Sequence, residues 1–409
     1  MTIMKKLLIY FLLILPVLSV AQQKFVYAKG QHIYSPEGKP FLIKGTNLGN
    51  WLLPEGYMFK FDKVNAPWMI EQVMLELIGP SANTRFWKQY LDSYITEADI
   101  RLLKEMGSNS VRLPFDYRLF TNESYLGAND STRGFYYMDK VVSWCKKYQL
   151  YLLLDMHGAP GGQTGDNIDN SYGYPFLYTD SGCQAKTINI WKRIANRYKN
   201  ETIILGYDLL NEPIAHFFDQ DQLNPLLEPL FRKIVRAIRE VDKHHLIFLE
   251  GAQWASKFHI FSKPFDDKLV YSFHKYWTDT TQDVIQEYVD FRSRYNVPIY
   301  VGETGENNDE WILAFRKLLE KNNIGWHYWP YKKMESTSCV VSFPKPVTWD
   351  SLVAYTKSMR VSHEDIRKAR PKNMQAIQQA FSDFLNLMQK QYYSKNHPYI
   401  TGIGLSVNH

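Results

Sequence analysis

Eight short apolar runs, rich in β-branched residues and mostly separated by amphipathic stretches, constrain the fold of this 409-residue chain more than any other feature. Strands that are buried on both faces have continuous hydrophobicity, as in parallel sheets whose faces are covered by helices. The pattern therefore predicts a parallel sheet with helices between successive strands. The runs lie near residues 41–46, 110–113, 151–156, 203–210, 246–250, 269–274, 299–302 and 325–329.

Helix signals fill the gaps between these runs. Thr96 and Asp99 are spaced as a capping box, Ile95 and Ile100 as a hydrophobic staple, and Gly107 is expected to end that helix. Further helices are predicted where apolar residues recur at helical spacing, near residues 188–198, 227–238 and 311–318.

Strands that alternate with helices in this way favour a single-domain (β/α)8 TIM barrel, with its active site at the carboxyl ends of the strands. A doubly wound open sheet is the alternative, but no Gly-rich phosphate loop follows the first strand. We assign residues 22–409 to one catalytic domain. Within it, residues 336–409 are expected to add one helix, near residues 373–392, and to close the barrel.

The first 21 residues have the organisation of a secretory signal peptide. Lys5 and Lys6 form a basic region, residues 7–18 an apolar run, and residues 19–21 a small-residue cleavage site. The apolar run is too short for an ordinary membrane span. We therefore expect a secreted protein, periplasmic or extracellular, with no membrane span.

Composition excludes several classes of protein. A hydrophobic share of 45% and a charged share of 22% are ordinary for a soluble globular protein. The net charge of +6 comes without a dense Lys/Arg block, so no nucleic-acid partner is expected. Cys145, Cys183 and Cys339 are too few and too widely spaced for a disulfide framework or a Cys-based zinc site, and allow at most one bridge. We expect a monomer without a cofactor.

Two glutamates, Glu212 and Glu303, each follow a strongly apolar run and precede a break in the pattern. Burying a carboxylate at the rim of a core is costly unless it is paired, hydrogen-bonded or protonated. Two carboxyl groups whose pKa values are pushed apart are the minimum apparatus for cleaving a glycosidic bond. The alternative from position alone is a pair of strand-end glutamates in surface salt bridges.

The other predicted strand ends carry polar residues that suit the same chemistry. A nucleophilic carboxylate needs a nearby cation and hydroxyl donor, and an asparagine beside the acid could hydrogen-bond a sugar 2-hydroxyl. A tryptophan offers a flat face to a sugar ring. The candidate supporting and substrate-binding residues are Arg112, His157, Asn211, His274, Tyr276 and Trp329.

These six residues and the two glutamates occur in the order found in glycoside hydrolase family 5, which the chain resembles over residues 41–333. The resemblance implies a retaining β-glycosidase in which Glu212 is the general acid/base and Glu303 the nucleophile. Residues 45–52 and 155–163 are similar to the exo-β-1,3-glucanase branch, whereas residues 53–57 depart from it. The expected substrate is therefore a β-glucan or related oligo- or polysaccharide, with a β-mannan or another β-glycan as the alternative.

The resemblance also makes a local prediction. The family often has a cis peptide bond after the tryptophan of the eighth barrel strand, and in this chain Pro330 follows Trp329. A proline lowers the cost of a cis bond. We therefore predict that the Trp329–Pro330 bond is cis.

Several residues keep alternative interpretations. Glu250 and Glu306 are rival carboxylates, and Glu250 ranks third because it lacks an adjacent asparagine. Glu55 and Asp166 could contact substrate, although solvation is favoured for both. The tryptophans that could be either sugar platforms or packing residues are Trp51, Trp254 and Trp277.

Three alternative activities also stay open. The absence of a His-Glu-x-x-His sequence argues against metal catalysis, so no metal is expected. A glycan-binding protein without activity is the alternative from another class, and transglycosylation would use the same residues as hydrolysis.

Overall fold

A short antiparallel hairpin, β1 (Tyr27–Lys29) and β2 (His32–Tyr34), precedes a closed barrel of eight parallel strands. This computed structural model describes residues 24–407, so the predicted signal peptide lies outside the described residues. The barrel strands are β3 (Lys44–Asn47), β4 (Ser110–Asp116), β5 (Tyr151–Gly158), β6 (Ile204–Asp208), β7 (Leu246–Glu250), β8 (Leu269–Lys275), β9 (Ile299–Gly305) and β10 (Gly325–Trp329).

The barrel strands pair in chain order, and β10 pairs with β3 to close the ring. The fold is therefore the predicted (β/α)8 TIM barrel in a single domain. A small group of buried residues joins the hairpin residues Val26 and Ile33 to barrel residues near the strand starts, such as Leu205 and Val270. The hairpin thus covers the amino end of the barrel and leaves the carboxyl end open.

Helices surround the barrel as the periodicity predicts. Those before the last barrel strand are α1 (Pro67–Ser93), α2 (Glu97–Glu105), α3 (Arg133–Tyr148), α4 (Ser181–Tyr198), α5 (Gln220–Arg239), α6 (Ala252–Ala255), α7 (Asp283–Tyr295) and α8 (Asp309–Lys321). The predicted capping box begins α2, where the Thr96 backbone N–H donates to Asp99 Oδ2 at 2.7 Å. Gly107 follows α2 with φ of 91°, as the predicted stop requires.

A C-terminal segment, residues 332–407, packs beside the barrel and does not close it, so that prediction was wrong. The segment forms a three-stranded sheet and four helices rather than one, and its described elements are β11 (Lys332–Met334), β12 (Val341–Phe343), α9 (Trp349–Lys357), α10 (His363–Ala369), α11 (Met374–Leu387), β13 (Ser394–Lys395) and α12 (His397–Gly402). The barrel is closed without this segment, because β10 pairs with β3 and completes the hydrogen-bonded ring of strands.

Aromatic rings join the C-terminal segment to the loop that follows β3. Phe59 stacks on Phe384 with ring centroids 5.3 Å apart, and Phe61 stacks on Trp349 at 6.1 Å. Trp349 Nε1 also donates to the backbone oxygen of Phe59 at 2.8 Å. Aromatic pairs of this kind contribute beyond the area they bury, so the segment is an integral part of the core.

Two further predictions can be compared with the described residues. The Trp329–Pro330 peptide bond is cis, as predicted. Cys145, Cys183 and Cys339 are all free thiols, which agrees with the limit of at most one bridge. Between residues 24 and 407, no helix has the length and apolar character to cross a membrane.

Candidate active site

A cleft of about 810 Å³ opens at the carboxyl ends of the barrel strands. Six of the eight predicted site residues line it: His157, Glu212, His274, Tyr276, Glu303 and Trp329. Arg112 and Asn211 lie beneath its floor and are fully buried. The structure therefore brings all eight residues together, because the parallel strands end at the same rim.

Glu303 lies within β9 near its end and is only 5% exposed. Arg112 Nη1 donates to its Oε1 at 2.5 Å, and the Tyr276 hydroxyl donates to its Oε2 at 3.1 Å. Burial raises the pKa of the Glu303 carboxyl, while the charges of His274, Arg112 and His157 oppose that rise. Both carboxylate oxygens are thus held in place by donors.

Glu212 lies in the loop after β6, because that strand ends at Asp208 rather than at the predicted residue 210. Its backbone has φ of 45°, in the left-handed region that side-chain-bearing residues adopt only when their surroundings hold them there. The Glu212 N–H donates to Glu250 Oε2 at 2.6 Å, and Thr164 Oγ1 donates to the Glu212 carbonyl at 2.8 Å. These contacts fix the backbone from both sides.

His274 connects the two glutamates. Its Nδ1 is 2.9 Å from Glu212 Oε1 and 3.9 Å from Glu303 Oε2. One carboxylate oxygen of each glutamate and a ring nitrogen of His274 all lie within 4.8 Å of one another. The two carboxyl groups therefore lie close together in the cleft.

Arg112 is the central cation of the site. Besides Glu303, its guanidinium contacts Asp208 Oδ2 at 2.9 Å, Glu250 Oε1 at 2.9 Å and Asp155 Oδ2 at 3.1 Å. Burial lowers the pKa of Arg112, but these four carboxylates outweigh burial and raise it well above its ordinary value. We name this group of Arg112 and its four carboxylates the Arg112 cluster.

A ring of contacts fixes the amide of Asn211. Arg112 Nη2 donates to Asn211 Oδ1 at 2.9 Å, so the Asn211 Nδ2 faces His157 Nε2 at 3.3 Å. His157 Nδ1 lies 2.8 Å from Asp155 Oδ2, which makes Nδ1 the protonated nitrogen and leaves Nε2 as the acceptor. The His157 ring also stacks on Trp329, with centroids 5.5 Å apart.

Sequence reasoning left Asp155, Asp208 and Glu250 out of the candidate site. All three are fully buried on barrel strands and touch Arg112. The available signal was a carboxylate inside or at the end of a continuous apolar run, which is rarely tolerated without a charged partner. Only the three-dimensional pairing, however, identifies that partner.

The expectation that Glu55 is solvated was wrong. Glu55 lines the cleft, is only 4% exposed, and has no hydrogen-bond partner for its Oε1 within the described residues. Burial raises its pKa to about 8, so the carboxyl is protonated at neutral pH. Asp166 instead caps a short helical turn and accepts from the Asn167 N–H at 2.7 Å.

The three ambiguous tryptophans divide into two kinds. Trp51 is 1% exposed and donates to the Leu91 carbonyl, so it is a packing residue. Trp254 and Trp277 line the cleft, and Trp277 is 74% exposed. Glu306, one of the rival carboxylates, also lines the cleft and is paired with Lys333 at 2.8 Å.

Within residues 24–407, two groups of side chains are close enough to hold a cation by distance alone: Asp155, His157 and Glu303, and Glu212, His274 and Glu303. In both groups the ligand atoms already have hydrogen-bond partners inside the network. The donors to Glu303 are Arg112 and Tyr276, and the histidines face Asp155 and Glu212. The arrangement is that of a hydrogen-bonded acid network, and the absence of a metal stays a prediction.

A TIM barrel with two facing carboxylates, supported by arginine, histidine, asparagine and tyrosine at its carboxyl end, defines an O-glycosyl hydrolase. Residues 71–335, more than half of the chain, match the family model described as cellulase (glycosyl hydrolase family 5). The chain therefore belongs to glycosyl hydrolase family 5.

Curated relatives with different activities are similar to this chain. Endoglucanase C of Acetivibrio thermocellus is 29% identical over 61% of the chain and 88% of its own length. A β-xylosidase of Phanerodontia chrysosporium is 29% identical over 57% of the chain, and a glucan 1,3-β-glucosidase of Candida oleophila is 30% identical over 51%. The chain spans only about half the length of these last two relatives, 48% and 51%.

Solved structures share the fold. Rutinosidase from Aspergillus niger superposes with a TM-score of 0.56 at 18% identity, covering 72% of this chain and 90% of its own. An endogalactoceramidase superposes with a TM-score of 0.57, also at 18% identity, covering 82% of this chain and 79% of its own. At such low identity the likeness shows the fold alone.

Proposed function

We propose that this protein is a secreted retaining β-glycosidase that hydrolyses β-linked glucan-type oligo- or polysaccharides by double displacement. The observation that carries the proposal is the separation of the Glu212 and Glu303 carboxylate oxygens, which is within 4.8 Å. Retaining glycosidases have carboxyl groups about 5 to 5.5 Å apart, whereas inverting enzymes need about 6.5 to 9.5 Å to admit a water molecule.

In the first step, Glu303 attacks the anomeric carbon while Glu212 gives its proton to the glycosidic oxygen. The bond from the anomeric carbon to the leaving oxygen breaks, and an ester bond to Glu303 forms. In the second step, Glu212 takes a proton from a water molecule that attacks the same carbon. The ester bond breaks, the sugar is released, and both carboxyl groups return to their starting states.

The neighbours of Glu303 support its role as the nucleophile. The guanidinium of Arg112 and the hydroxyl of Tyr276 each donate to one of its oxygens, so the attacking carboxylate is oriented before substrate binds. Asn211 has its amide orientation fixed by Arg112 and His157, which suits a hydrogen bond to the sugar 2-hydroxyl. Trp329 is the proposed stacking surface for the sugar bound beside Glu303.

A β-glucan is the favoured substrate because relatives named endoglucanase and glucan 1,3-β-glucosidase are among the similar proteins. The named β-xylosidase keeps other β-glycans, including β-mannan, open as the alternative. Trp254 and Trp277 are proposed sugar platforms, since both line the cleft. Secretion is inferred from the signal-like residues 1–21.

Incubation with a 2-deoxy-2-fluoro-glucoside that has an activated leaving group tests the mechanism. We expect a stable glycosyl adduct on Glu303, located by peptide mass spectrometry, and none in Glu303→Gln. The first product of hydrolysis, followed by proton NMR, should have the β configuration. Modification of another carboxylate, or an α product, would refute the assignment.

The substrate is tested by assaying hydrolysis of β-1,3-, β-1,4- and β-1,6-glucans, mannan, xylan and aryl glycosides. We expect the highest kcat/KM on a β-glucan. Tight binding of an oligosaccharide with no turnover of any substrate would favour the glycan-binding alternative. Oligosaccharide products longer than the substrate supplied would indicate transglycosylation.

A further inference from the structure

Glu250, at the end of β7, makes three contacts that the proposed mechanism does not use. Its Oε2 accepts from the Glu212 backbone N–H at 2.6 Å, and its Oε1 accepts from Arg112 Nη2 at 2.9 Å. The same Oε1 lies 3.2 Å from His274 Nε2. A fully buried carboxylate therefore touches the backbone of Glu212 and, at the same time, the imidazole that touches its side chain.

His274 lies between the carboxylates of Glu212 and Glu250. A Cβ atom at Gly302 would lie 2.6 Å from His274 Nε2, so only glycine at that position of β9 admits the ring. The Nε2 atom makes no hydrogen bond of good geometry, and the 3.2 Å contact with Glu250 is an electrostatic one. The ring therefore packs directly against the β9 backbone at Gly302.

The charges that face this pair favour an ionised Glu250. Burial raises the pKa of the Glu250 carboxyl, but His274, Arg112 and the Glu212 N–H outweigh it and hold the pKa below its ordinary value. Glu303 also faces His274, and Asp155 and Asp208 face Arg112 from the neighbouring strands. Burial lowers the pKa of His274, but the charges of Glu250 and Glu303 and the contact with Glu212 outweigh it and raise that pKa well above its ordinary value. The carboxylate nearest to Nε2 is Glu250, which favours a hydrogen on that nitrogen.

An imidazole whose Nε2 carries a hydrogen has only Nδ1 left to exchange a proton with Glu212. We propose that Glu250 is a positioning residue that fixes His274 in the Nε2-protonated form, so that one proton is shared between His274 Nδ1 and Glu212 Oε1. This inference rests on the proposed function, for which Glu212 is the acid/base.

The shared proton suits both steps of double displacement. When it lies on Glu212, the carboxyl is ready to protonate the leaving oxygen. After that transfer, an ionised Glu212 faces an Nδ1 without hydrogen, which leaves the carboxylate short of a donor and favours removal of a proton from water. Without the charge of Glu250, His274 could carry its hydrogen on Nδ1 and hold Glu212 permanently as the carboxylate.

The kinetic test is Glu250→Gln, assayed on an oligosaccharide and on a 2,4-dinitrophenyl glycoside of the same sugar. General acid catalysis contributes about 10²- to 10⁴-fold, and dinitrophenolate leaves without it. We expect kcat on the oligosaccharide to fall by about 10²-fold, with less than about tenfold loss on the aryl glycoside. The basic limb of kcat/KM against pH should move to lower pH, and Glu250→Asp should restore part of the activity.

Asp208→Asn is the control for loss of a buried partner of Arg112, because Asp208 contacts Arg112 but makes no hydrogen bond to Glu212 or His274. Burial and the charge of Glu250 raise the pKa of Asp208 well above its ordinary value, so this change removes the partner without removing a negative charge beside His274. Asp208→Asn should lower kcat on the oligosaccharide and on the aryl glycoside in the same proportion. If Glu250→Gln also lowers kcat equally on the two substrates and leaves the pH profile unchanged, Glu250 is only a structural partner of Arg112 and the proposal is overturned.

A second measurement uses the wild-type protein and needs no turnover. Proton–nitrogen NMR of histidine-labelled protein reports which ring nitrogen of His274 carries hydrogen, and comparison with His274→Gln assigns the signals. We expect an Nε2–H signal in the wild type. A bare Nε2 with hydrogen on Nδ1 would refute the proposal. If no glycoside is hydrolysed, the proposed function fails, while this spectrum still decides the state of His274.

Discussion

Two buried groups of charged residues in this chain differ in the balance of their charges. The Arg112 cluster at the barrel centre sets four carboxylates against one guanidinium, beside an open cleft. The second group lies between α2 and the C-terminal segment and contains one lysine, Lys332, near one carboxylate, Asp99. We name this second group the Lys332 group.

The polar atoms of the Lys332 group are satisfied locally. Lys332 Nζ donates to the backbone oxygens of Tyr94 and Met388 and to the Tyr393 hydroxyl. Asp99 Oδ1 accepts from the Tyr393 hydroxyl at 2.9 Å and from the Tyr331 hydroxyl at 2.8 Å. Carbonyls and hydroxyls, and not a surplus of one charge, stabilise this group.

Two groups with the same pKa make the contrast quantitative. Burial raises the pKa of Glu55, in the cleft, to about 8, and burial lowers the pKa of Lys332 to about 8. Glu55 lines the cleft and has a carboxyl oxygen without a hydrogen-bond partner among residues 24–407. Lys332 instead donates to two backbone oxygens and a tyrosine hydroxyl. A shifted pKa therefore indicates function only where the group can still meet a ligand.

The largest expected effect comes from removing the barrel cation. Arg112→Leu leaves four buried carboxylates without their cation, and breaking a buried ion pair costs about 3 to 5 kcal/mol. We expect a loss of this size in chemical denaturation, together with loss of detectable hydrolysis. Arg292→Leu is the control, because Arg292 is also buried but donates to the backbone oxygen of Asn322, and burial alone shifts its pKa, with no carboxylate contributing. An equal loss of unfolding free energy in both variants would show that the four carboxylates around Arg112 do not set it apart from another buried arginine.

Alkaline pH should affect the Lys332 group next. The folded state holds the Lys332 proton with a pKa of about 8 and the unfolded state with the ordinary 10.5, so the unfolded state binds more protons between these values. Stability should therefore rise with pH in this window by up to about 3 kcal/mol relative to Lys332→Met. Denaturation of both proteins at several pH values measures the difference. A flat difference would show that Lys332 is not desolvated.

A smaller loss is expected for Asp99→Ala. The change removes the acceptor of the α2 capping box and of two tyrosine hydroxyls, which should cost about 2 kcal/mol. Asp365→Ala is the matched control, because Asp365 forms a similar capping box with Ser362 on an exposed helix without tyrosine partners. It should cost about 1 kcal/mol or less. At temperatures where both variants are folded, kcat should match the wild type, and a lower kcat would connect this group to the cleft.

The smallest effect is expected for Glu55→Gln, which imitates the protonated carboxyl. Activity near pH 6 should stay within about threefold of the wild type. As pH passes 8, ionised Glu55 adds a negative charge near Glu303 and Glu212, so the wild type should lose activity beyond the loss caused by deprotonation of the acid/base. The variant should lack only this additional loss. The stability of the wild type relative to the variant should fall as pH rises from 4.5 to 8, the opposite sign to Lys332. Identical pH profiles for the two proteins would contradict the shifted pKa.

The barrel could be predicted from sequence because its strands are continuous apolar runs. Two predicted strands, residues 246–250 and 325–329, have the observed bounds, and the others differ by a few residues at their ends. The predicted end of β6 was too late because Leu209 and Leu210 are apolar but belong to the loop that carries Glu212. An apolar run in the sequence predicts which residues are buried, but it does not show which of them are hydrogen-bonded to a neighbouring strand.

The elements outside the barrel could not be predicted in the same way. The longest helix, α1, is interrupted at Gly79, where φ is 74°, and contains Pro80, so its sequence lacks one regular apolar stripe. In the candidate site, Glu250 and Glu55 were undervalued because burial depends on chain segments distant in sequence. The structure brings the eight predicted residues together in or beneath one cleft, and their individual roles remain predictions.

The rings that join Phe59 and Phe61 to Trp349 and Phe384 determine how short this chain can be made in the laboratory. The family match ends at residue 335, and a gene trimmed to that boundary would omit both C-terminal rings. Phe59 and Phe61, which are 0% and 2% exposed, would then lie in water beside the turn that carries Glu55. Expression of the trimmed gene should yield inclusion bodies, whereas a gene that extends through α11 keeps the aromatic rings covered.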